Sequence, residues 1–322
     1  MSPENKIAFY APGQNAREEA GAYGIDLQLA PIKQLFEAAS DITHEDMEAF
    51  LEADPGGKLN QSRYAQPFVL TTSMAYFYMA SEKLQPYLQT TSNILVAGHS
   101  QGEYTALVLV KSLQFEEAAC LLYTRGLLLD QESVRNPQTM LVVTGQPLEE
   151  VEKICSDTST EVANENSDEQ FVIAGLVEFI NNAEALIKER YPQKNTRTFK
   201  LPIKVGSHCS LEKGAALEMA KHLKSVKIKP PMFPFIVNAT GDFVGTAEKI
   251  RTYLIEQMTK RVLWRQTIRR MLQSGVRDFY EIGPQNILTK LTQRIAKRDT
   301  LETEVKAIST KEILNSIRNK SI

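Results

Sequence analysis

Gly98-His99-Ser100-Gln101-Gly102 follows the apolar run Ile94–Ala97 and precedes a stretch with helical apolar spacing. A serine two residues from a glycine on either side, where a strand turns into a helix, has the pattern of a nucleophile elbow. The sharp turn strains the serine backbone, and the glycines remove side chains that would collide. The hydroxyl then stands at the positive end of a helix, and the next backbone N–H, that of Gln101, is free to receive an oxyanion. Such a serine needs a base at neutral pH. The chain has four histidines. His99 adjoins the serine and, on a sharp turn, points elsewhere. His44 sits in a polar helix start, and His222 in an amphipathic helix among Lys221, Lys224 and Lys227. His208 lies after one expected strand and before a helix, where α/β sheets present functional residues. It is the best base by elimination. A loop histidine bonded to backbone is the competing reading of the same spacing.

The elements that must position this pair are legible as alternating patterns. Ile7–Ala11 reads as a buried strand stopped by Pro12-Gly13. Residues 33–53 read as amphipathic helix, and residues 67–84 as a buried helix with Pro67 in its first turn. Strand 94–97 and helix 103–110 follow. This alternation predicts an α/β fold with a mostly parallel sheet. Between residues 138 and 202 the order becomes β-α-β-β-α-β, with expected strands at 140–144, 161–163, 170–174 and 197–201. That is the split βαβ, ferredoxin-like pattern. It predicts a small domain at 138–202 inserted into a large α/β domain made of 1–137 and 203–322. Helices at 212–227, 250–258 and 264–273 and strands at 234–238 and 278–282 complete the large domain. The tail after residue 298 is polar, with a weak helical pattern.

Bulk composition agrees with a globular enzyme. The chain has 322 residues, 43% hydrophobic and 24% charged, with a formal net charge of −2. That balance gives no reason to expect nucleic acid or an anionic membrane as a partner. Three widely spaced cysteines describe neither a disulfide framework nor a zinc site, so no metal is expected. The first residues lack a signal-peptide plan and no apolar run is long enough to span a bilayer, which predicts a soluble cytoplasmic protein.

Gly98-His99-Ser100-Gln101-Gly102-Glu103-Tyr104 resembles the GHSxGE signature of malonyl-CoA:acyl-carrier-protein transacylases. That fold, an α/β-hydrolase-like one, also serves as the acyltransferase of fatty-acid and polyketide synthesis. Further matches run in order along nearly the whole chain: Pro12-Gly13-Gln14, Gln66-Pro67, Arg125-Gly126, Asn164 to Ser167, Ser207-His208-Cys209 and Glu281 to Pro284. The resemblance implies a dyad of Ser100 and His208, with the histidine oriented by the Gln257 backbone carbonyl. It implies an oxyanion hole from the N–H groups of Gln101 and Gln14, and places Asn164 near the pocket. Arg125, at the family's interval from the serine, would hold the free carboxylate of a malonyl group. A guanidinium suits that task because it matches a carboxylate bidentately. In an apolar helix the bland alternative is an arginine paired with a buried glutamate. The implied reaction moves malonyl, or a related dicarboxylic acyl group, from CoA to the phosphopantetheine thiol of an acyl carrier protein. The substrates are malonyl-CoA and the carrier protein, and no further cofactor is implied.

The sequence departs from the family pattern around this core. Gln101 replaces an aliphatic residue common in the stand-alone enzymes, and GHSQGE often accompanies methylmalonyl preference in modular polyketide acyltransferases. Glu212 stands where methionine is usual, Gly214 and Gly206 where proline is, and Asn15 where glycine is. Lys260-Arg261 replaces Asn-Pro. The alternative function on the same fold is hydrolysis of acyl thioesters from carrier proteins, though such relatives often lack the arginine. A non-catalytic carrier-binding scaffold is the third reading. Lys260, Arg261, Arg265, Arg269 and Arg270 beside Trp264 form a basic cluster that suits either carrier docking or a solvated helix face.

Overall fold

The structure is a computed structural model that describes residues 6–81, 84, 93–192, 195–301 and 304–318. Its ten strands, counted among these residues, form two sheets. The larger sheet contains β1 (Lys6–Ala11), β2 (Ile94–Gly98), β7 (Phe235–Ile236), β8 (Phe243–Val244), β9 (Val276–Glu281) and β10 (Lys306–Ser309), in the order β10-β9-β1-β2-β7-β8. All neighbours are parallel except β8, which pairs antiparallel with β7 at one edge. The fold is therefore α/β with a mixed sheet. β1 and β2 are apolar at successive positions because both faces of the sheet are covered. Ile7 and Phe9 join Ile94 and Val96 in one core cluster, while Ala8 and Tyr10 join Leu95 and Ala97 in the other.

Residues 138–202 build the second sheet from β3 (Gln138–Thr144), β4 (Glu161–Ser167), β5 (Gln170–Leu176) and β6 (Arg197–Lys200). Its order is β4-β5-β3-β6, all antiparallel. One face, with Leu141, Val143 and Ile173, packs on the helices Leu148–Thr158 and Val177–Arg190. The other face, with Met140, Val142 and Val172, belongs to the core of the larger body. This smaller sheet is stitched to that body by backbone. Asn164 and Val262 form a parallel bridge, with Val262 N–H donating to Ala163 (2.8 Å) and Glu165 N–H to Val262 (2.9 Å).

Several elements differ from the sequence expectation for physical reasons. The helix at 33–53 ends at Thr43, where His44 takes a left-handed conformation (φ 56°), so His44 closes a helix rather than starting one. Pro67 lies inside the helix Ser62–Met79, not in its first turn. That helix begins earlier because Asp130 caps it, accepting from the N–H groups of Ser62 (2.9 Å) and Arg63 (3.1 Å). The polar tail contains an edge strand, β10, whose short pairing with β9 leaves a weak apolar signal. Part of the expected helix 67–84 falls outside the described residues. No helix of the described residues is long and apolar enough to cross a membrane.

Candidate active site

β1 and β2 end in register, Ala11 opposite Gly98, and the chain turns sharply beyond both. Ser100 sits at that turn with φ 56°, a left-handed conformation costly for a residue with a side chain. The flanking glycines are required sterically. A Cβ on Gly98 would lie 2.0 Å from the Gly102 carbonyl oxygen, and one on Gly102 would lie 2.3 Å from that of Ala11. The helix Gly102–Leu109 then starts directly behind the serine, aiming its positive end at the turn.

His208 reaches this turn from the chain that follows residues 138–202. Its Nε2 lies 2.6 Å from Ser100 Oγ, and its Nδ1 lies 2.5 Å from the Gln257 backbone oxygen. A carbonyl only accepts, so Nδ1 carries the proton and Nε2 is left to accept from the serine hydroxyl. The His208 N–H also donates to the Met258 carbonyl at 3.0 Å. Burial, then the nearby Arg125 charge, pull the imidazole down to about 3, so it is a neutral, unprotonated base at neutral pH. His99 is indeed directed elsewhere, its Nε2 meeting Asn166 Oδ1 at 2.9 Å.

Arg125 is brought to the same cavity by a close helix crossing. Gly126 on the helix Phe115–Arg135 rests on the backbone of the Ser62–Met79 helix, where an added Cβ would lie 2.4 Å from Arg63 N. The guanidinium, 1% exposed, donates to Gln66 Oε1 at 2.9 Å and Gln257 Oε1 at 3.5 Å, while its Nε has no partner among the described residues. It forms no ion pair among them, so the expectation of a structural arginine–glutamate pair has no counterpart here. Gln66 Nε2 in turn donates to Gln14 Oε1 (3.0 Å), linking this helix to the Pro12-Gly13-Gln14 turn. That turn abuts the elbow. A Cβ on Gly13 would stand 3.3 Å from the His99 carbonyl oxygen and 3.7 Å from Ser100 Cβ.

These groups line a cavity of about 430 Å³ between the two sheets. Ser100, His208, Arg125, Gln14 and Asn164 all face it, roofed by Met140, Val142 and Val172. Asn164 Oδ1 is buried without a partner among the described residues. The Gln101 side chain does not line the cavity. Its Nε2 donates to the Pro12 carbonyl at 3.1 Å, so the residue braces the two turns.

Two residues to which sequence reading gave no role organise the elbow. Asn238 Oδ1 accepts from the Ser100 N–H at 2.6 Å, and its Nδ2 donates to the Gly98 carbonyl. Glu103 Oε1 accepts from the Asn238 N–H (2.6 Å), and its Oε2 from Gln257 Nε2 (2.5 Å). Burial pushes the Glu103 carboxyl up to about 8. The available signal for Asn238 was its place at the end of an apolar strand neighbouring β2.

The basic cluster is committed elsewhere. Arg261 pairs with Glu152 (2.6 Å), Arg265 with Glu165 (2.8 Å) and Arg269 with Asp168 (3.0 Å) and Asp299 (2.6 Å). Arg270 meets Asp242 (2.5 Å) and Lys260 meets Glu256 (2.9 Å). Three of these arginines thus bind acidic residues of the 138–202 segment and are not a free docking patch.

Comparison with known proteins accords with this geometry. Residues 33–320 match the family "Acyl transferase domain". The chain is 31% identical over 294 residues to a malonyl CoA-acyl carrier protein transacylase of Haemophilus influenzae, covering 90% of this chain and 92% of that one. Among solved structures it resembles an acyl carrier protein S-malonyltransferase from Vibrio cholerae (TM-score 0.83, 32% identity, 95% and 96% of the two chains). A malonyl-transacylase solved in complex with its type II PKS acyl-carrier protein is similar to the same degree (TM-score 0.84, 30% identity, 95% and 96%). With a serine elbow, a histidine facing it and near-complete coverage in both directions, the chain belongs to the acyl transferase domain family and is an acyltransferase.

Proposed function

We propose that this acyltransferase moves a malonyl or related dicarboxylic acyl group from a CoA thioester to the phosphopantetheine thiol of an acyl carrier protein. The observation that carries this reading is the Ser100–His208 hydrogen bond on the wall of a cavity that Arg125 also lines. His208 takes the hydroxyl proton as Ser100 Oγ attacks the thioester carbonyl carbon. The tetrahedral oxyanion is held by the N–H groups of Gln101 and Gln14. The C–S bond then breaks, and CoA leaves as a thiol with the proton from His208. In the second half the carrier thiol gives its proton to His208 and attacks the acyl ester. The C–O bond breaks and Ser100 recovers its proton. Arg125 holds the distal carboxylate, oriented by Gln66 and Gln257, and Asn164 contacts the acyl group. The cycle runs on side-chain and backbone groups, so we assign it no cofactor.

The names of the Haemophilus and Vibrio relatives support malonyl as the acyl group, and the solved complex supports a carrier protein as acceptor. A surface groove that shares Gln170 and Phe199 with the cavity bears Arg197, Arg294, Lys297 and Arg298, with Asp168 and Glu169 also in its lining. We assign this cationic lip to the phosphates of CoA and phosphopantetheine. We also assign residues 138–202 as an inserted ferredoxin-like domain, and 1–137 with 203–322 as an α/β-hydrolase-like catalytic domain. The β-α-β-β-α-β chain order and the strand order β4-β5-β3-β6 support that division.

Incubation with malonyl-CoA labelled in the malonyl group tests the cycle. The expected result is stable labelling of Ser100, discharged by holo carrier protein and lowered more than about a thousandfold in Ser100→Ala. Release of free malonate without carrier protein would make the chain a thioester hydrolase and overturn the proposal.

A further inference from the structure

The proposed cycle makes no use of the buried carboxyl of Glu212. Glu212 is 0% exposed, and neither of its carboxyl oxygens has a hydrogen-bond partner among the described residues. An unpartnered buried polar group is costly, and more so when charged. Glu212 ends the short turn Ser210–Glu212, directly behind the loop that presents His208. The helix that follows, Lys213–Ser225, packs against the helix carrying Arg125. Arg125 is equally closed off, has an unpartnered Nε, and feels the charge of Glu212. Its guanidinium donates only to the neutral amide oxygens of Gln66 and Gln257 among the described residues.

We propose that Glu212 is a specificity-determining residue, whose ionisation competes for Arg125 and lowers the preference for carboxylate-bearing acyl groups over plain ones. This rests on the role given to Arg125 above. Burial pushes the Glu212 carboxyl up to about 8, with Arg125 pulling it down and Glu132 pushing it further up. Near neutrality it is a neutral acid, and Arg125 keeps its full charge for substrate. Above that range it is a carboxylate within electrostatic reach of the guanidinium, though not paired with it, and a bound diacid brings a second anion to one cation. By linkage, a bound substrate carboxylate drives Glu212 back toward its protonated form.

The other groups around it are accounted for. From the Phe115–Arg135 helix Glu212 faces Arg125 and Glu132, and Glu132 accepts from Asn136 and Arg135. From β3 it faces Gln138, and from its own loop Cys209. On the helix Ala247–Glu256, which also packs on Lys213–Ser225, Arg251 donates to the Val226 carbonyl. Glu103 is the other buried carboxyl acting on Arg125, held by Asn238 and Gln257. The Glu212 variants leave Glu103 intact, so its titration is common to them and the wild type.

The test is the rate of Ser100 acylation by malonyl-CoA and by acetyl-CoA, read by intact mass from about pH 6 to about pH 10. Wild type, Glu212→Gln, Glu212→Met and Arg125→Ala are compared, each after a melting curve shows that it folds. In the wild type the malonyl-to-acetyl ratio is expected to fall about tenfold as Glu212 ionises, the equivalent of one pKa unit of coupling. Both Glu212 variants are expected to show a clearly smaller fall, limited to what Glu103 contributes. A flat wild-type ratio, or the same fall in the Glu212 variants, would overturn the proposal. An Arg125→Ala ratio equal to wild type at neutral pH would instead overturn the Arg125 assignment, and this inference with it.

Discussion

Asn238 shows how much of the elbow depends on one side chain that does no chemistry. Its amide accepts from the Ser100 N–H and donates to the Gly98 carbonyl, fixing both sides of a strained turn. Asn238→Ala is expected to lower kcat roughly a hundredfold, since small misplacements of a nucleophile cost that much. KM for malonyl-CoA should change little, because the cavity walls and Arg125 are untouched; steady-state kinetics separates the two. At this scale the sequence revealed the residues whose signal is local. Ser100 announces itself by its glycines, and His208 by elimination among four histidines. Asn238 acts across 138 residues of chain on Ser100, so no local pattern reports it; Glu103 belongs to the GHSxGE stretch, but its bond to Gln257 spans 154 residues and its role could not be read there. The Gln101 side chain was an equally non-local case. The resemblance linked it to acyl preference, and the fold turns it toward Pro12.

Elements matter here chiefly through how closely they approach. Arg125 reaches the cavity because Gly126 lets two helix backbones touch, and Asp130 on the same helix caps the other one. Gly126→Ala is expected to push the helices apart and destabilise the protein by about 1–3 kcal/mol, as overpacking does. It should also slow malonyl transfer more than acetyl transfer, because Arg125 loses its register with Gln66. Urea unfolding and the two acylation rates check this. Long, strongly patterned elements were legible: the helices Val177–Arg190 and Trp264–Gln273 and the strands β1 and β2 match their apolar periods. Short ones were not. β8 and β10 have two and four residues, too few for a period to emerge, and their strand character comes from neighbours in the sheet, whereas the two-residue β7 was legible only inside the longer apolar run 234–238. Pro67 misled because proline favours a first turn locally, whereas the Asp130 cap set the helix start from another helix.

Taken whole, the molecule is two sheets fastened across the cavity rather than two bodies free to part. Backbone bonds from Val262 and the pairs Arg261–Glu152, Arg265–Glu165 and Arg269–Asp168 all join residues 138–202 to the larger body. Arg265→Ala removes partners from both Glu165 and Asp168, which are largely buried, and is expected to cost about 1–3 kcal/mol in stability. KM for carrier protein should not move, since these cations are occupied; a rise confined to carrier protein would revive the docking reading of the cluster. The larger sheet also has a chain order with consequences in time. Ser100 and Arg125 precede residues 138–202, whereas His208, Asn238 and Gln257 follow them. During synthesis the serine emerges well ahead of its base, and at ribosomal speed the gap to Gln257 lasts about ten seconds. A nascent chain in that interval carries an unactivated hydroxyl. It neither consumes thioesters nor acquires acyl groups before the fold is complete, so the first acylation event marks a finished molecule.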